Sequence, residues 1–225
     1  MTRLATLTAL ALSLAGAGFG AYTVAREAVI LERWPERSVE EYDRIASGRT
    51  ALGLSAYSKK QMLNSCYYGL TAPLALVRPT AEIRSFASRC RDKAEAITAT
   101  MPTHSFGWLV AAVAAGTLDD VAAMNRALVN SHRTGPREQW ITELRVRLAE
   151  DSFIRLDEAA RQANEKDLAL LAQSDRGVRT IARRYIEDTG FRERVTTVVA
   201  ALPAEVQGRF LRSVRKAARE VTLDQ

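Results

Sequence analysis

The chain has 225 residues, 47% of them hydrophobic, with only 12 glycines and 6 prolines. So few turn residues imply long elements, and no run shows the period-two alternation of a half-buried strand, which argues against a sandwich, a barrel or strands alternating with helices. A formal net charge of +6, carried mostly by arginine, is by itself weak support for a nucleic-acid partner.

The first element is apolar. Arg3 opens it, and no residue from Leu4 to Ala25 is charged. As a helix, about 22 residues reach about 33 Å, the thickness of a hydrocarbon core. Residues 1–25 read either as an uncleaved signal anchor or as a signal peptide, with Leu4 to Leu14 as its apolar region and Ala15-Gly16-Ala17 as the cleavage site. The apolar stretch runs on past Ala17, which favours the anchor. With Arg3 on the cytoplasmic side, an anchor makes a single-pass protein of a bacterial inner membrane with residues 26–225 in the periplasm. Cleavage instead gives a periplasmic or secreted protein. Gly16 and Gly20 form a GxxxG pair that would let two such helices pack. Small residues are also ordinary in a leader, so a homo-oligomer is left without support.

The remaining elements follow from periodicity and punctuation. Ser38 and Glu41 form a capping box ahead of a short helix over about 39–47, stopped by Gly48. Met62, Leu63, Cys66, Tyr67 and Leu70 share one face of a helix over 56–70. A connection bounded by Pro73 and Pro79 leads to a helix in which Ile83, Phe86, Ala87, Cys90, Ala94 and Ile97 recur on one face until Pro102. Helices over about 105–115, 118–133 and 137–150 come next, with Gly135-Pro136 as the break. Four more follow at about 155–173, 176–188, 190–201 and 203–220. Short connections imply antiparallel neighbours, hence an all-α domain over 26–225.

The stretch from Gly107 to Leu128 is thin in large apolar residues. Ala111, Ala112, Ala115 and Gly116 on one helix are expected to face Ala122, Ala123 and Ala127 on the next, with Trp108 and Leu128 filling the ends. Small residues let helix axes approach to the low end of their usual range. Trp108, Ala111, Ala112, Gly116 and Ala127-Leu128, preceded by Pro102, resemble a tetratricopeptide-type repeat. The spacing from Gly116 to Ala127 is one residue short, and Pro136 arrives late. A second degenerate unit begins at Pro136 with Trp140 as its large residue. The clear resemblance covers about 102–150, and it implies helical hairpins over about 55–150 stacked as a short, right-handed α-solenoid, followed by a helical part over 151–225. More loosely, the whole plan is similar to small anchored helical proteins of bacterial envelope polysaccharide systems. That resemblance implies a partner in a membrane protein or envelope complex.

Candidate chemistry is sparse. Cys66 and Cys90 lack CxxC spacing but lie on apolar faces of consecutive helices, so in an oxidising compartment a disulfide competes with two buried thiols. His104 and His132 fall at ends that an antiparallel hairpin would bring together, but no further metal ligand is evident, and capping or surface positions are expected. The pairs Glu40-Glu41, Asp119-Asp120, Asp157-Glu158 and Glu187-Asp188 read as helix-start charge rather than catalytic acids. No phosphate loop or nucleophile motif is present, so no catalytic residue, cofactor or metal site is expected. In the last helix Phe210, Val214, Ala217 and Val221 form one face. Arg209, Arg212, Lys216 and Arg219 form another, either a solvated face or a contact for an anionic glycan or lipid surface. The arginines lack interleaved aromatic residues, which argues against nucleic acid. The function expected is a non-enzymatic, membrane-anchored periplasmic scaffold. The alternative is a secreted protein that binds an anionic glycan or lipid through its arginine-rich end.

Overall fold

The structure is a computed structural model that describes residues 2–31 and 39–223. Among the described residues all regular structure is helical. In chain order it comprises α1 (Thr2–Leu31), α2 (Val39–Ala46), α3 (Ala56–Thr71), the single turn α4 (Pro73–Leu76) and α5 (Thr80–Thr100). There follow α6 (Ser105–Thr117), α7 (Val121–Thr134), α8 (Gln139–Asp151), a 3₁₀ turn (Phe153–Arg155), α9 (Glu158–Gln173), α10 (Gly177–Glu187), α11 (Thr189–Ala200) and α12 (Ala204–Leu223). Two compact units emerge, Met1–Lys93 and Ala94–Gln225, with the boundary inside α5, where no turn signal or change of composition marks it.

In the first unit, α1 is apolar over Arg3–Ala28 and none of that stretch is buried, so it is long and apolar enough to span a membrane or to serve as a signal sequence. The turn after α2 contains Gly48, whose φ of 74° is the left-handed conformation that closes a helix. Ser38, expected to cap α2, lies outside the described residues. A disulfide joins Cys66 of α3 to Cys90 of α5, and both side chains are fully buried. One turn away, the Phe86 ring lies so close to the Gly69 backbone that a Cβ there would collide with it. That ring stacks on Tyr42 of α2 with centroids 4.1 Å apart, and the Arg78 guanidinium lies over Tyr42 at 3.6 Å. Glycine at position 69 thus lets α3, α5 and α2 share one aromatic stack.

The second unit is organised around α6, which is buried on nearly every side from Ser105 to Ala115. It pairs antiparallel with α7. Ser105 Oγ donates to the Ser131 carbonyl at 2.8 Å, and Ser131 Oγ donates back to the Ser105 carbonyl at 2.9 Å, so the two helix ends are stitched reciprocally. At the other end a Cβ on Gly116 would stand 3.1 Å from Met124 Sδ. Ala111, Ala112 and Ala115 are buried, as expected. The facing residues differ in part: Ala122 is exposed and Ala123 only half-buried, and Met124, Ala127, Leu128 and Ser131 are the buried residues of α7 that complete the seam. The reason is the turn. Asp119 adopts a left-handed φ of 65°, and Asp120 caps α7 by accepting from Ala123 N, so the helix begins three residues later than the sequence pattern suggests.

α8 and α9 form the next antiparallel pair. α11 and α12 close the unit over a core of Leu168, Leu171, Ile181, Phe191, Val195 and Phe210. Phe210 and Ala217 of α12 are buried and Val214 is partly so, as its amphipathic pattern requires; the Val221 side chain lies outside the described set.

Candidate functional site

The residues singled out in the sequence take separate places. His104 caps α6, its Nδ1 accepting from Gly107 N at 3.0 Å. Trp108 is half-buried and donates its indole N–H to the Pro102 carbonyl at 2.8 Å. Trp140 is 42% exposed and tilts against Phe106 at a centroid distance of 5.0 Å. Asp157 and Asp188 cap α9 and α11. His132 does not meet His104. Its Nδ1 instead lies 2.9 Å from Asp167 Oδ1 on α9.

That contact belongs to a buried network the sequence did not disclose. Arg145 of α8 is 2% exposed and grips Asp167 through two bonds, Nε to Oδ2 at 2.6 Å and Nη2 to Oδ1 at 2.8 Å. Its remaining donors reach Thr142 Oγ1 at 2.9 Å and the Gly135 carbonyl at 3.3 Å. A Cβ on Gly135 would stand 2.5 Å from Ser105 Oγ, so the chain break at Gly135-Pro136 also admits this approach. A second network lies further along α8. Glu150, also buried, accepts from Asn164 at 2.6 Å and from Arg194 at 2.6 Å, and Arg194 lies over the Phe153 ring at 4.0 Å. Both networks tie α8 to its neighbours through desolvated, charge-assisted bonds. One signal was available: Arg145 interrupts the apolar run Ile141, Val146, Ala149, and Asp167 interrupts Ala163, Leu168, Leu171.

An open cleft of about 1190 Å³ lies between α8, α10 and α12, with Phe191 of α11 also lining it. Many of its charges are already paired. Arg184 binds Asp151 at 2.7 Å and Asp188 at 3.1 Å, and Arg209 binds Asp175 at 3.2 Å. Burial alone would lower the pKa of Arg184, but its bonds to Asp151 and Asp188 outweigh that and raise it. The Asp188 carboxyl is held below its ordinary range by the Phe191 N–H, against the effect of burial, with Arg184 adding to the shift. Arg147, Arg179 and Arg183 also line the cleft, are exposed, and have no charge partner among the described residues; Glu187 is the exposed acid left over. Beside the cleft, Arg212, Arg215 and Arg219 of α12 stand exposed, while Lys216 sits 4.0 Å from Glu220. The four α12 cations expected to share a face therefore divide. Arg209 is tied to Asp175, and the others front solvent.

Among the described residues no group of three histidine, cysteine or acidic side chains is placed to hold a metal ion. No family model, curated protein or solved structure matches the chain. The tetratricopeptide likeness therefore rests on residues 102–150 alone.

Proposed function

We propose that the protein is a non-enzymatic adaptor of a bacterial envelope, anchored in the inner membrane by α1 with the rest of the chain in the periplasm, and that its second unit holds a partner protein. The observation that carries this reading is the cleft between α8, α10 and α12, where paired charges leave Arg147, Arg179 and Arg183 free. A cleft rimmed by unpaired cations favours an acidic segment of a partner and speeds its encounter. The disulfide supports the exported side, since such bonds persist in oxidising compartments. The pairs α6/α7 and α8/α9 support the repeat reading, in which stacked hairpins present a recognition surface. The looser likeness to polysaccharide systems suggests that the partner belongs to a membrane complex of that kind.

A second reading has its own observation. The exposed Arg212, Arg215 and Arg219 on α12 suit an anionic glycan or lipid surface. Photo-crosslinkers placed at Arg179 and at Arg215 in native membranes discriminate between the two. A discrete protein adduct from position 179, lost on Arg147→Glu and Arg183→Glu, is expected. Adducts confined to position 215, or adducts at 179 that survive charge reversal, sink the adaptor reading.

A further inference from the structure

The first unit offers a surface that the anchor reading does not use. Near the end of the apolar stretch of α1, Glu27 takes four hydrogen bonds from the start of α3. Its Oε1 accepts from Leu54 N at 2.6 Å and Ser55 N at 3.0 Å. Its Oε2 accepts from Ser55 Oγ at 2.7 Å and from Ser58 Oγ. Arg26 adds a bond to the Leu52 carbonyl at 3.0 Å and another to the Tyr22 hydroxyl at 2.9 Å. Residues 52–58 are thereby fixed against the last turns of α1. Around this clamp, Tyr22 is 52% exposed, Leu54 48% and Tyr57 50%, and Lys60 is exposed one turn further along α3.

We infer that residues 52–60 are a membrane-contact segment, with Leu54 and Tyr57 set in the headgroup layer of the bilayer that α1 spans and Lys60 directed to lipid phosphates. This rests on α1 being an anchor. A span that ends near Ala25 puts Glu27 at the edge of the hydrocarbon, and whatever is hydrogen-bonded to Glu27 shares its depth. Tyrosine with an apolar body and polar tip, leucine, and a lysine that can extend toward phosphate are the residues an interface accepts. The backbone supports the same placement. A helix start ordinarily relies on water for some of its free N–H groups, whereas here the N–H of the capping residue Ser55 and that of Leu54 before it are taken by a carboxylate of the span itself, and Ser58 N donates to Ser55 Oγ. A helix start with fewer donors left to water is better suited to a partly dehydrated layer.

The test uses the full-length protein in vesicles of phosphatidylethanolamine and phosphatidylglycerol, with a benzophenone amino acid replacing Tyr22, Leu54, Tyr57 or, as a reference, Ile154, which is 91% exposed. Retention of the Cys66–Cys90 bond checks that each variant has folded. Lipid adducts from positions 22, 54 and 57, several-fold above those from 154, are expected. Adducts at 22 without adducts at 54 and 57 overturn the contact segment and leave the anchor standing. No adducts at 22 overturn both. In the same assay Glu27→Ala releases the clamp and should lower the yield at 57 several-fold while leaving that at 22 unchanged; an unchanged yield at 57 shows that the clamp does not set its depth.

Discussion

Arg145 and Asp167, 22 residues apart, face each other through two parallel N–H to oxygen bonds in a setting almost closed to water. Each is the other's charge compensation, and neither has solvent to fall back on. Removing one partner from a buried pair leaves an uncompensated charge and costs about 3–5 kcal/mol, whereas replacing both with apolar groups of similar size is often neutral. Asp167→Ala is expected to destabilise by that amount in urea unfolding. Arg145→Met combined with Asp167→Leu should recover most of the loss. A double variant as unstable as Asp167→Ala means the network does more than neutralise charge.

The α6–α7 seam makes a separate prediction. Ala112 is fully buried. Ala112→Leu should overpack the seam and destabilise by about 1–3 kcal/mol. Arg126→Ala, on the exposed side of α7, should stay within about 0.5 kcal/mol. Equal effects at the two positions would show that the seam has room to spare.

These two cases mark what could be read from the sequence and what could not. Helix boundaries at Gly48, Pro79, Gly135-Pro136 and Pro203 were legible because turn chemistry acts within a few residues. The left-handed Asp119 was not: two adjacent aspartates suit the first turn of a helix as well as the residues before it, and only the backbone decides. The small residues of α6 are buried as their clustering implied, and so are Ala127 and Leu128 of α7, but Ala122 and Ala123 gave way to Met124 and Ser131 for that reason. Arg145 with Asp167, and Glu27 with Ser58, join residues 22 and 31 apart. Such pairs need the tertiary path before either residue has a partner. The cleft needs three helices at once, and its free arginines are known only after the paired ones are subtracted.

For the cysteines, peptide mass spectrometry of unreduced protein should recover the Cys66–Cys90 pair. The bond closes a separation of 24 residues, worth about 3 kcal/mol in the chain-entropy model. Cys66→Ala with Cys90→Ala should lower the stability of the first unit by that order. Alkylation of both thiols in native protein without reductant would disprove the bond.

Acid should weaken the contact around Asp188. Its carboxyl has a lowered pKa in the folded state, so its contribution to stability is present at neutral pH, above the ordinary aspartate value of about 3.9, and is lost as pH falls through the folded value. Asp188→Asn can keep the cap on α11 but loses the charge facing Arg184. Unfolding curves against pH should therefore be shallower for the variant in the acid range, with only a small difference at neutral pH because the pair is partly solvated. Parallel acid limbs would assign the shift elsewhere.

The length of α6 governs more than packing. It has 13 residues and carries no charge, so as a helix it measures about 20 Å against the roughly 30 Å of a hydrocarbon core. On the anchored topology proposed above, machinery that sorts segments by hydrophobic length would pass it by and retain α1. Two apolar turns inserted near Ala114 would bring it to spanning length. The same fold would then be lost for a reason unrelated to stability: everything after α6 would be stranded on the opposite side of the bilayer from the Cys66–Cys90 bond.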